Sequence, residues 1–180
     1  MVYFFLADGF EESEAIVPID ILKRADITVL TVGVGSKTVV GAHGLTVTCD
    51  IPENEALTDC LEGIVLPGGM PGTLNLEKSE TVQKFVEFAD KKGLIIGAIC
   101  AAPSVLGKKG ILKGKKATCF TGFDEYLTGA TVSCDPVVRD GNIVTAYGAG
   151  AAFLFGFSLL STFKGEKTAE EIKKQMRYTV

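Results

Sequence analysis

The sequence predicts an α/β fold, in which helices cover both faces of a mainly parallel sheet to give a three-layer α/β/α sandwich. Short runs rich in Val, Ile and Leu have the length of strands that are buried on both faces. They alternate with longer helical patterns, which is the order typical of a doubly wound sheet. The chain has 180 residues, about the size of a domain that can bury its own core. No linker or repeat divides it, so we expect one domain over residues 1–180.

Six apolar runs are predicted to be strands: Val2–Ala7, Ile27–Val34, Gly63–Pro67, Leu94–Ile99, Lys116–Phe120 and Asn142–Tyr147. Between the second and the third, the segment Lys37–Asp50 alternates around a central glycine turn. This pattern predicts a β-hairpin inserted between two βα units.

Five segments are predicted to be helices: Glu11–Arg24, Ser79–Gly93, Ala101–Lys109, Ala149–Phe163 and Lys167–Met176. The second begins with serine, a preferred N-cap residue, and its apolar side chains recur at helical spacing on one stripe. The fourth is the most apolar, but it is shorter than the roughly 20 residues that span a bilayer. It is predicted to be a buried helix, and no membrane partner is expected.

Charge and cysteine usage restrict the partners and the compartment. The chain has 18 Lys and Arg against 22 Asp and Glu, a formal charge of −4 without any basic cluster, which argues against nucleic-acid binding. Its five cysteines are an odd number and form no C-x-x-C pair, so neither a disulfide framework nor a zinc or other metal site is expected. A reducing cytoplasm fits this usage, and the N-terminal segment has no basic leader of the secretory type.

Four unusual segments follow predicted strands. They are Asp8–Glu14, Pro67–Gly72, Cys100 and Gly148–Gly150. Ligands of open α/β sheets bind outside the carboxyl ends of the strands. We therefore expect these four segments to converge on one rim of the sheet and to form the functional site there.

Cys100 lies at a predicted strand-to-helix junction. Small residues, Ala98 and Ala102, stand two positions before and two after it, as in a nucleophile elbow with Cys in place of the usual Ser. Pro103 supports a helix start directly afterwards, and the positive end of that helix would favour the thiolate. A generic apolar junction gives a similar string, however, so a reactive and a structural cysteine both remain open at this point.

The loop that contains Gly68 and Gly69 has two interpretations. Glycine and proline alone indicate a mobile turn. Alternatively, the bare backbone N–H groups of these glycines face the rim and stabilise an oxyanion beside the sulfur. The spacing matches neither G-x-G-x-x-G nor the P-loop, so nucleotide binding is not predicted.

The acidic residues Glu11, Glu12 and Glu14 begin a predicted helix, where carboxylates normally complement the helix dipole. Glu14 is different because Pro18 cannot donate to its carbonyl, which predicts that the helix starts or bends there and leaves Glu14 at an irregular position on the rim. Burial of Glu14 against Cys100 would raise its pKa and make it a proton donor to sulfur.

The segments DGFEESEAIVPIDILKRA, IVLPGGMPGTLNL and LIIGAICAAPSVLG closely resemble three signature segments of the ThiJ/PfpI superfamily, in the branch of the Parkinson-disease protein deglycase. The resemblance implies a flavodoxin-like homodimer without a cofactor. It also implies that Cys100 is an oxidation-sensitive nucleophile and Glu14 its protonated partner. By the same resemblance, Gly69 and Ala101 offer backbone N–H groups to the site.

The sequence departs from the superfamily near the nucleophile. Many members carry a histidine where this chain has Phe120, and the GPG-like loop after the last strand is GAG here, beginning at Gly148. The only histidine, His43, lies in the predicted hairpin, from which the resemblance would let it approach a partner's site. Cys119 is a candidate resolving thiol for Cys100, although filling of the strand is the favoured explanation.

Two functions follow from these residues. The first is an enzyme acting on small reactive aldehydes or glycated proteins, of the glyoxalase III or deglycase type, and slow because the histidine is missing. The second is an oxidative-stress sensor or chaperone that works through oxidation of Cys100 and needs no turnover. Peptidase activity is less favoured because general-base activation is missing, and nothing in these residues demands a role in thiazole biosynthesis.

Overall fold

A computed structural model describes residues 1–179 and confirms the α/β fold with a mainly parallel sheet. The strands are β1 Val2–Ala7, β2 Val29–Val34, β3 Thr38–Val40, β4 Thr46–Thr48, β5 Ile51–Pro52, β6 Gly63–Leu66, β7 Ile95–Ile99, β8 Lys116–Ala117, β9 Thr131–Val132, β10 Val137–Asp140 and β11 Ile143–Ala146. The helices are α1 Glu12–Arg24, α2 Gly72–Lys78, α3 Glu80–Lys92, α4 Pro103–Lys108, α5 Ala152–Lys164 and α6 Glu166–Gln175.

The central sheet has seven strands in the order β10-β11-β7-β6-β1-β2-β5. Its pairs are parallel except for β10 with β11 at one edge. The carboxyl ends of β1, β6, β7 and β11 therefore lie side by side at one edge of the sheet. The segments that follow these four strands are the four that the sequence singles out.

Buried apolar side chains form two clusters, as expected for a sheet with helices on both faces. Helix α3 shows how the sequence builds one layer. The hydroxyl of Ser79 accepts a hydrogen bond from the backbone N–H of Val82 (3.1 Å), and Gly93 ends the helix at a φ of 64°, a conformation that glycine adopts without steric cost. Between these caps the helix buries Val82, Phe85, Val86 and Ala89, which recur at spacings of three and four residues along its inner face.

The predicted strand Lys116–Phe120 is wrong beyond its first two residues. Only Lys116 and Ala117 pair, and they do so with β9 in a separate two-stranded sheet. After Ala117 the backbone N–H of Thr118 donates to the Thr145 hydroxyl (3.0 Å), and that of Phe120 donates to the carbonyl of Cys100 (2.8 Å). These bonds draw the segment toward the sheet rim instead of along a strand ladder.

Other elements agree with the sequence or are additions to it. The predicted hairpin is confirmed, with Val39 paired to Val47. Helices α2 and α4 and strands β5 and β10 are short, and of these the sequence predicts only α4. The apolar helix α5 begins at Ala152, after a single turn over Ala149–Ala151. Among residues 1–179, no helix combines the length and the apolar character needed to cross a membrane.

Candidate active site

Cys100 lies at the sharp turn between β7 and α4. Its φ is 64°, a strained value for a residue other than glycine. Two hydrogen bonds hold it: its own N–H donates to the carbonyl of Ala146, and its carbonyl accepts from the N–H of Phe120, both at 2.8 Å. Pro103 is the first residue of α4, as predicted. This is the geometry of a nucleophile elbow, and it leaves Cys100 partly exposed.

The glycine loop after β6 packs directly against the elbow. A Cβ atom on Gly68 would lie 2.6 Å from the Cβ of Cys100 and 2.7 Å from Oε2 of Glu14, so the contact exists only because this residue has no side chain. Gly69 has a φ of 89°. The backbone N–H groups of Gly69 and Ala101 act on the sulfur of Cys100 in the direction that lowers its pKa. The loop is therefore an ordered wall of the site that presents N–H donors.

Glu14 reaches this wall from the first turn of α1. The helix continues through Pro18 without a break, so the prediction of an irregular position for Glu14 is wrong, while its approach to the rim is observed. Glu14 is 1% exposed, and Oε2 accepts a hydrogen bond from the N–H of Gly68 (2.8 Å). Oε1 is also buried and has no hydrogen-bond partner of regular geometry within residues 1–179. One carboxyl oxygen is therefore fixed and the other remains available to the site.

Burial raises the pKa of Glu14 to about 7, and the charge of Glu11 adds to this effect. Hydrogen bonds from the Cys100 thiol and from Gly68 act in the opposite direction but do not overcome burial. Glu14 is therefore a carboxylic acid that keeps its proton up to neutral pH, which is the property needed for a proton donor to sulfur.

Burial also raises the pKa of Cys100, to about 12, and the negative charge of Glu14 adds to it. The N–H groups of Gly69 and Ala101 oppose the rise only in part. The N–H group of Ala101 at the helix start does act to lower this pKa, as expected, but burial outweighs it, so the expected net preference for the thiolate is wrong. Between about pH 7 and pH 12 the pair of Glu14 and Cys100 holds one proton and one negative charge. The thiolate forms when that proton lies on the carboxyl group.

His43 interacts with the acidic start of α1 in its own chain. Its Nδ1 lies 2.8 Å from Oε2 of Glu12 and 3.3 Å from Oε2 of Glu11, and the hydrogen bond to Glu12 raises the pKa of His43. Its side chain is 75% exposed. Together these three side chains gather oxygen and nitrogen atoms within 4.8 Å of one another, but exposed carboxylates at a helix start are common without any ion, and the arrangement serves to fasten the hairpin to α1.

The remaining candidates lie on the other side of Cys100. Gly148 faces Phe120, whose Cδ2 atom lies 3.3 Å from the position of a Cβ on Gly148. Phe120 itself is 49% exposed and supplies no group that transfers protons. The thiol of Cys119 lies 3.8 Å from Oδ1 of Asp124. It lines a cleft with Cys134, and Cys100 is not part of that cleft.

Sequence reasoning missed two contributors to the site. The carbonyl of Ala146 holds the N–H of Cys100, a backbone contact that no residue type signals. Gly9 contacts Pro71 and Gly72, and its carbonyl accepts the N–H of Gly72 (3.2 Å), which joins the loops after β1 and β6. The Asp-Gly pair at the end of β1 is the one signal in the sequence that marks it.

The fold and the site define a class of protein: an α/β protein with a cysteine at a nucleophile elbow and a buried, protonated acid beside it. The chain belongs to the DJ-1/PfpI family, whose sequence profile matches residues 1–162.

Individual relatives agree with this assignment. The chain is 33% identical to Protein dj-1beta of Drosophila melanogaster over 94% of this chain and 92% of that protein. It is 32% identical to Glutathione-independent glyoxalase DJR-1.2 of Caenorhabditis elegans, over 91% and 88%. The crystal structure of a cysteine-to-alanine mutant of a DJ-1 superfamily protein from Salmonella typhimurium superposes with a TM-score of 0.94 at 34% identity, covering 99% and 98% of the two chains. In two plant relatives the chain spans 39% and 44% of the length.

The pKa of Glu14 gives a prediction for stability. In the folded chain Glu14 keeps its proton up to about pH 7, whereas in the unfolded chain it loses the proton near its ordinary value of about 4.3. Glu14 therefore contributes fully to the stability of the folded chain below its pKa in the unfolded state, and this contribution is lost as the pH rises through its pKa in the folded state. The Glu14→Gln variant has no such loss. We expect the unfolding free energy of the variant minus that of the parent protein to increase by about 3 kcal/mol between pH 4 and pH 8.

Urea unfolding of both proteins across this range measures the difference, because the other titrating groups cancel. Glu80→Gln is the matched control, since the Glu80 side chain is 90% exposed, and its unfolding free energy should follow that of the parent at every pH. A constant difference between Glu14→Gln and the parent protein would show that Glu14 does not titrate as described.

Proposed function

We propose that this protein uses Cys100 and Glu14 to convert small reactive carbonyls, or their adducts on proteins, in stress defence. The observation that carries the proposal is the buried carboxyl of Glu14, protonated up to about pH 7, beside a thiol that receives two backbone N–H groups. The relative named Glutathione-independent glyoxalase DJR-1.2, at 32% identity, supports the substrate class. The same chemistry on aldehyde adducts would make it a deglycase.

The steps follow from the pair of Glu14 and Cys100. The Cys100 thiolate adds to the aldehyde carbon of a 2-oxoaldehyde such as methylglyoxal, and the proton of Glu14 passes to the new alkoxide to give a hemithioacetal. The N–H groups of Gly69 and Ala101 stabilise the negative charge during this step. Glu14, now a carboxylate, removes the proton from that carbon and returns one to the neighbouring carbon. The product is a thioester of the 2-hydroxy acid, and water hydrolyses it to release the acid and the thiol.

The lack of a second base explains the slow turnover that we propose. The chain has one histidine, and it is bound to Glu12 rather than directed at Cys100. By the resemblance to the superfamily, Phe120 stands where many members carry a histidine, and its side chain cannot accept a proton. Glu14 must therefore act alone as acid and base in successive steps.

A specific observation favours a second candidate function, a peroxide sensor or chaperone. Oε1 of Glu14 is buried and lacks a regular hydrogen bond within the described chain, so a protonated Glu14 has a donor free for an oxygen on the sulfur. Two equivalents of hydroperoxide would take the Cys100 thiolate through the sulfenate to the sulfinate, and each equivalent leaves as its alcohol or water. The hydrogen bond from Glu14 would stabilise the sulfinate, and no histidine is needed.

We also propose that the chain acts as a homodimer. Exposed apolar side chains lie together where α1 meets the hairpin: Ile16, Val40 and Leu45 are each more than 40% exposed, and Glu12 in α1 accepts the N–H of Leu45. A second copy would cover this patch, because exposed apolar surface of this kind marks interfaces.

Methylglyoxal turnover tests the enzymatic proposal. We expect measurable conversion to lactate, lost to background in Cys100→Ser, which removes the nucleophile, and reduced by at least about a hundredfold in Glu14→Gln, which removes the acid and base. Cys60→Ser is the matched control, because Cys60 is exposed and takes no part in the site, and it should keep full activity. If the parent protein shows no turnover while peroxide converts Cys100 to the sulfinate, the sensor is the correct function.

Restoring a histidine beside the nucleophile should increase the rate. In Phe120→His the new imidazole shares the proton transfers with Glu14, and we expect kcat for methylglyoxal to rise by about tenfold or more. Phe120→Leu removes the ring without adding a base and should show no increase. Equal rates in both variants would mean that the missing histidine does not limit turnover.

The oligomeric state is measured by sedimentation equilibrium at micromolar concentration. We expect the mass of two chains of 19.0 kDa for the parent protein and of one chain for Leu45→Asp, which places a charge in the patch. Leu57→Asp is the control because Leu57 is 63% exposed outside the patch, and it should remain dimeric. A parent protein that sediments as one chain would contradict the dimer.

A further inference from the structure

A second pair of cysteines lies outside the Cys100 site. Strands β8 and β9 run parallel with Ala117 opposite Val132, and beyond this pair the N–H of Ser133 still donates to the carbonyl of Ala117 (2.8 Å). Cys119 and Cys134 each lie two residues past the last pair, beyond the end of the ladder, because the segment after Ala117 turns toward Thr145 and Cys100.

Both side chains line one open cleft of about 350 Å³. The two segments leave paired strands, which lie about 4.8 Å apart, and a disulfide bridges Cα atoms roughly 4.4–6.8 Å apart, so both thiols start close to a separation that a disulfide can span. Cys134 is exposed, whereas Cys119 is 6% exposed. The cleft thus gives a small oxidant access to one thiol and has the second thiol in its lining.

We propose that Cys119 and Cys134 form a reversible intramolecular disulfide when a hydroperoxide oxidises Cys134. The Cys134 thiolate attacks the terminal oxygen of the hydroperoxide, the O–O bond breaks, and the alcohol, or water from hydrogen peroxide, leaves. Cys134 is then a sulfenic acid. The sulfur of Cys119 attacks the sulfur of Cys134, the S–O bond breaks and water leaves. The two thiols lose two hydrogen atoms in total, and the hydroperoxide gains the two electrons.

The surroundings of the two thiols indicate which of them reacts with the hydroperoxide first. Burial, together with the charge of Asp124, raises the pKa of Cys119 to about 12, so Cys119 carries little thiolate and does not attack the oxidant first. Its thiol lies 3.8 Å from Oδ1 of Asp124, which accepts the proton when Cys119 attacks the sulfenic acid. Asp124 then passes that proton to the leaving hydroxide.

The disulfide would also act on the main site through one residue. Phe120 follows Cys119, and its N–H holds the carbonyl of Cys100 (2.8 Å). Linking Cys119 to Cys134 fixes this segment against the one after β9. The pair itself does not depend on the proposed carbonyl chemistry, because it uses neither Glu14 nor the thiol of Cys100.

Peroxide treatment of the full-length Cys100→Ser variant tests the pair without interference from Cys100. Hydrogen peroxide is raised until the exposed Cys60 is oxidised, the remaining thiols are alkylated, and peptides are analysed by mass spectrometry without reduction. We expect a cross-linked peptide containing Cys119 and Cys134, and a fall in free thiols at these two positions that dithiothreitol reverses. Circular dichroism before treatment verifies that the variant is folded.

Two further variants in the same background assign the steps. With Cys119→Ser, Cys134 should stop at the sulfenic acid, which dimedone traps. With Cys134→Ser, Cys119 should remain a thiol at the dose that oxidises Cys60. The proposal is overturned if Cys134 in the Cys100→Ser variant stays reduced when Cys60 is oxidised, if it advances to the sulfinic acid without a link to Cys119, or if its only disulfide joins two chains.

Discussion

The contact between a buried carboxyl group and a thiol determines the rest of the site. Glu14 is 1% exposed, and a carboxylate withdrawn from water is costly, so the group keeps its proton to about pH 7. One oxygen is fixed by the N–H of Gly68, which leaves the other to the sulfur of Cys100. Burial holds the thiol of Cys100 at a pKa of about 12, so the nucleophilic role that we propose for it requires this neighbour to take its proton.

That contact requires an unusual backbone on both sides. The elbow holds Cys100 at a φ of 64°, and the cost of that conformation, of order 1–3 kcal/mol, is offset by hydrogen bonds to the carbonyl of Ala146 and from the N–H of Phe120. Opposite the elbow, glycine is the only residue type that fits at position 68, since a Cβ there would collide with both Cys100 and Glu14. The rigid sheet supplies the precision, because all of these segments begin at the ends of paired strands.

Local sequence pattern was sufficient to predict the layers of the fold and the position of the candidate nucleophile, but not the chemistry of that residue. Apolar runs encode helix α3 and five of the seven strands of the central sheet, all but β5 and β10, and small residues on either side of Cys100 encode the elbow. The strand prediction for the segment after Ala117 failed because the hydrogen-bond partners of that segment, Thr145 and Cys100, are distant in sequence. The prediction for the pKa of Cys100 failed for a related reason. The dipole of a helix start can be predicted from sequence, whereas desolvation depends on tertiary packing. The sequence made Glu14 a proton donor only on the condition that it is buried, and the structure supplied that burial.

The absence of a histidine beside Cys100 changes what Glu14 has to do. Where an imidazole is present, proton transfers can be divided between two groups with different pKa values, each suited to one direction. In the reaction that we propose, one carboxyl donates to an alkoxide and then accepts from carbon, and a pKa of about 7 lets both forms exist at neutral pH. The intermediate pKa of Glu14 also suits oxidation of Cys100. Protonated Glu14 is a hydrogen-bond donor to a sulfinate, and the thiolate that reacts with peroxide arises when the Cys100 proton passes to Glu14. The two candidate functions therefore share one state of the site, and the reagent that reaches Cys100 first decides between them.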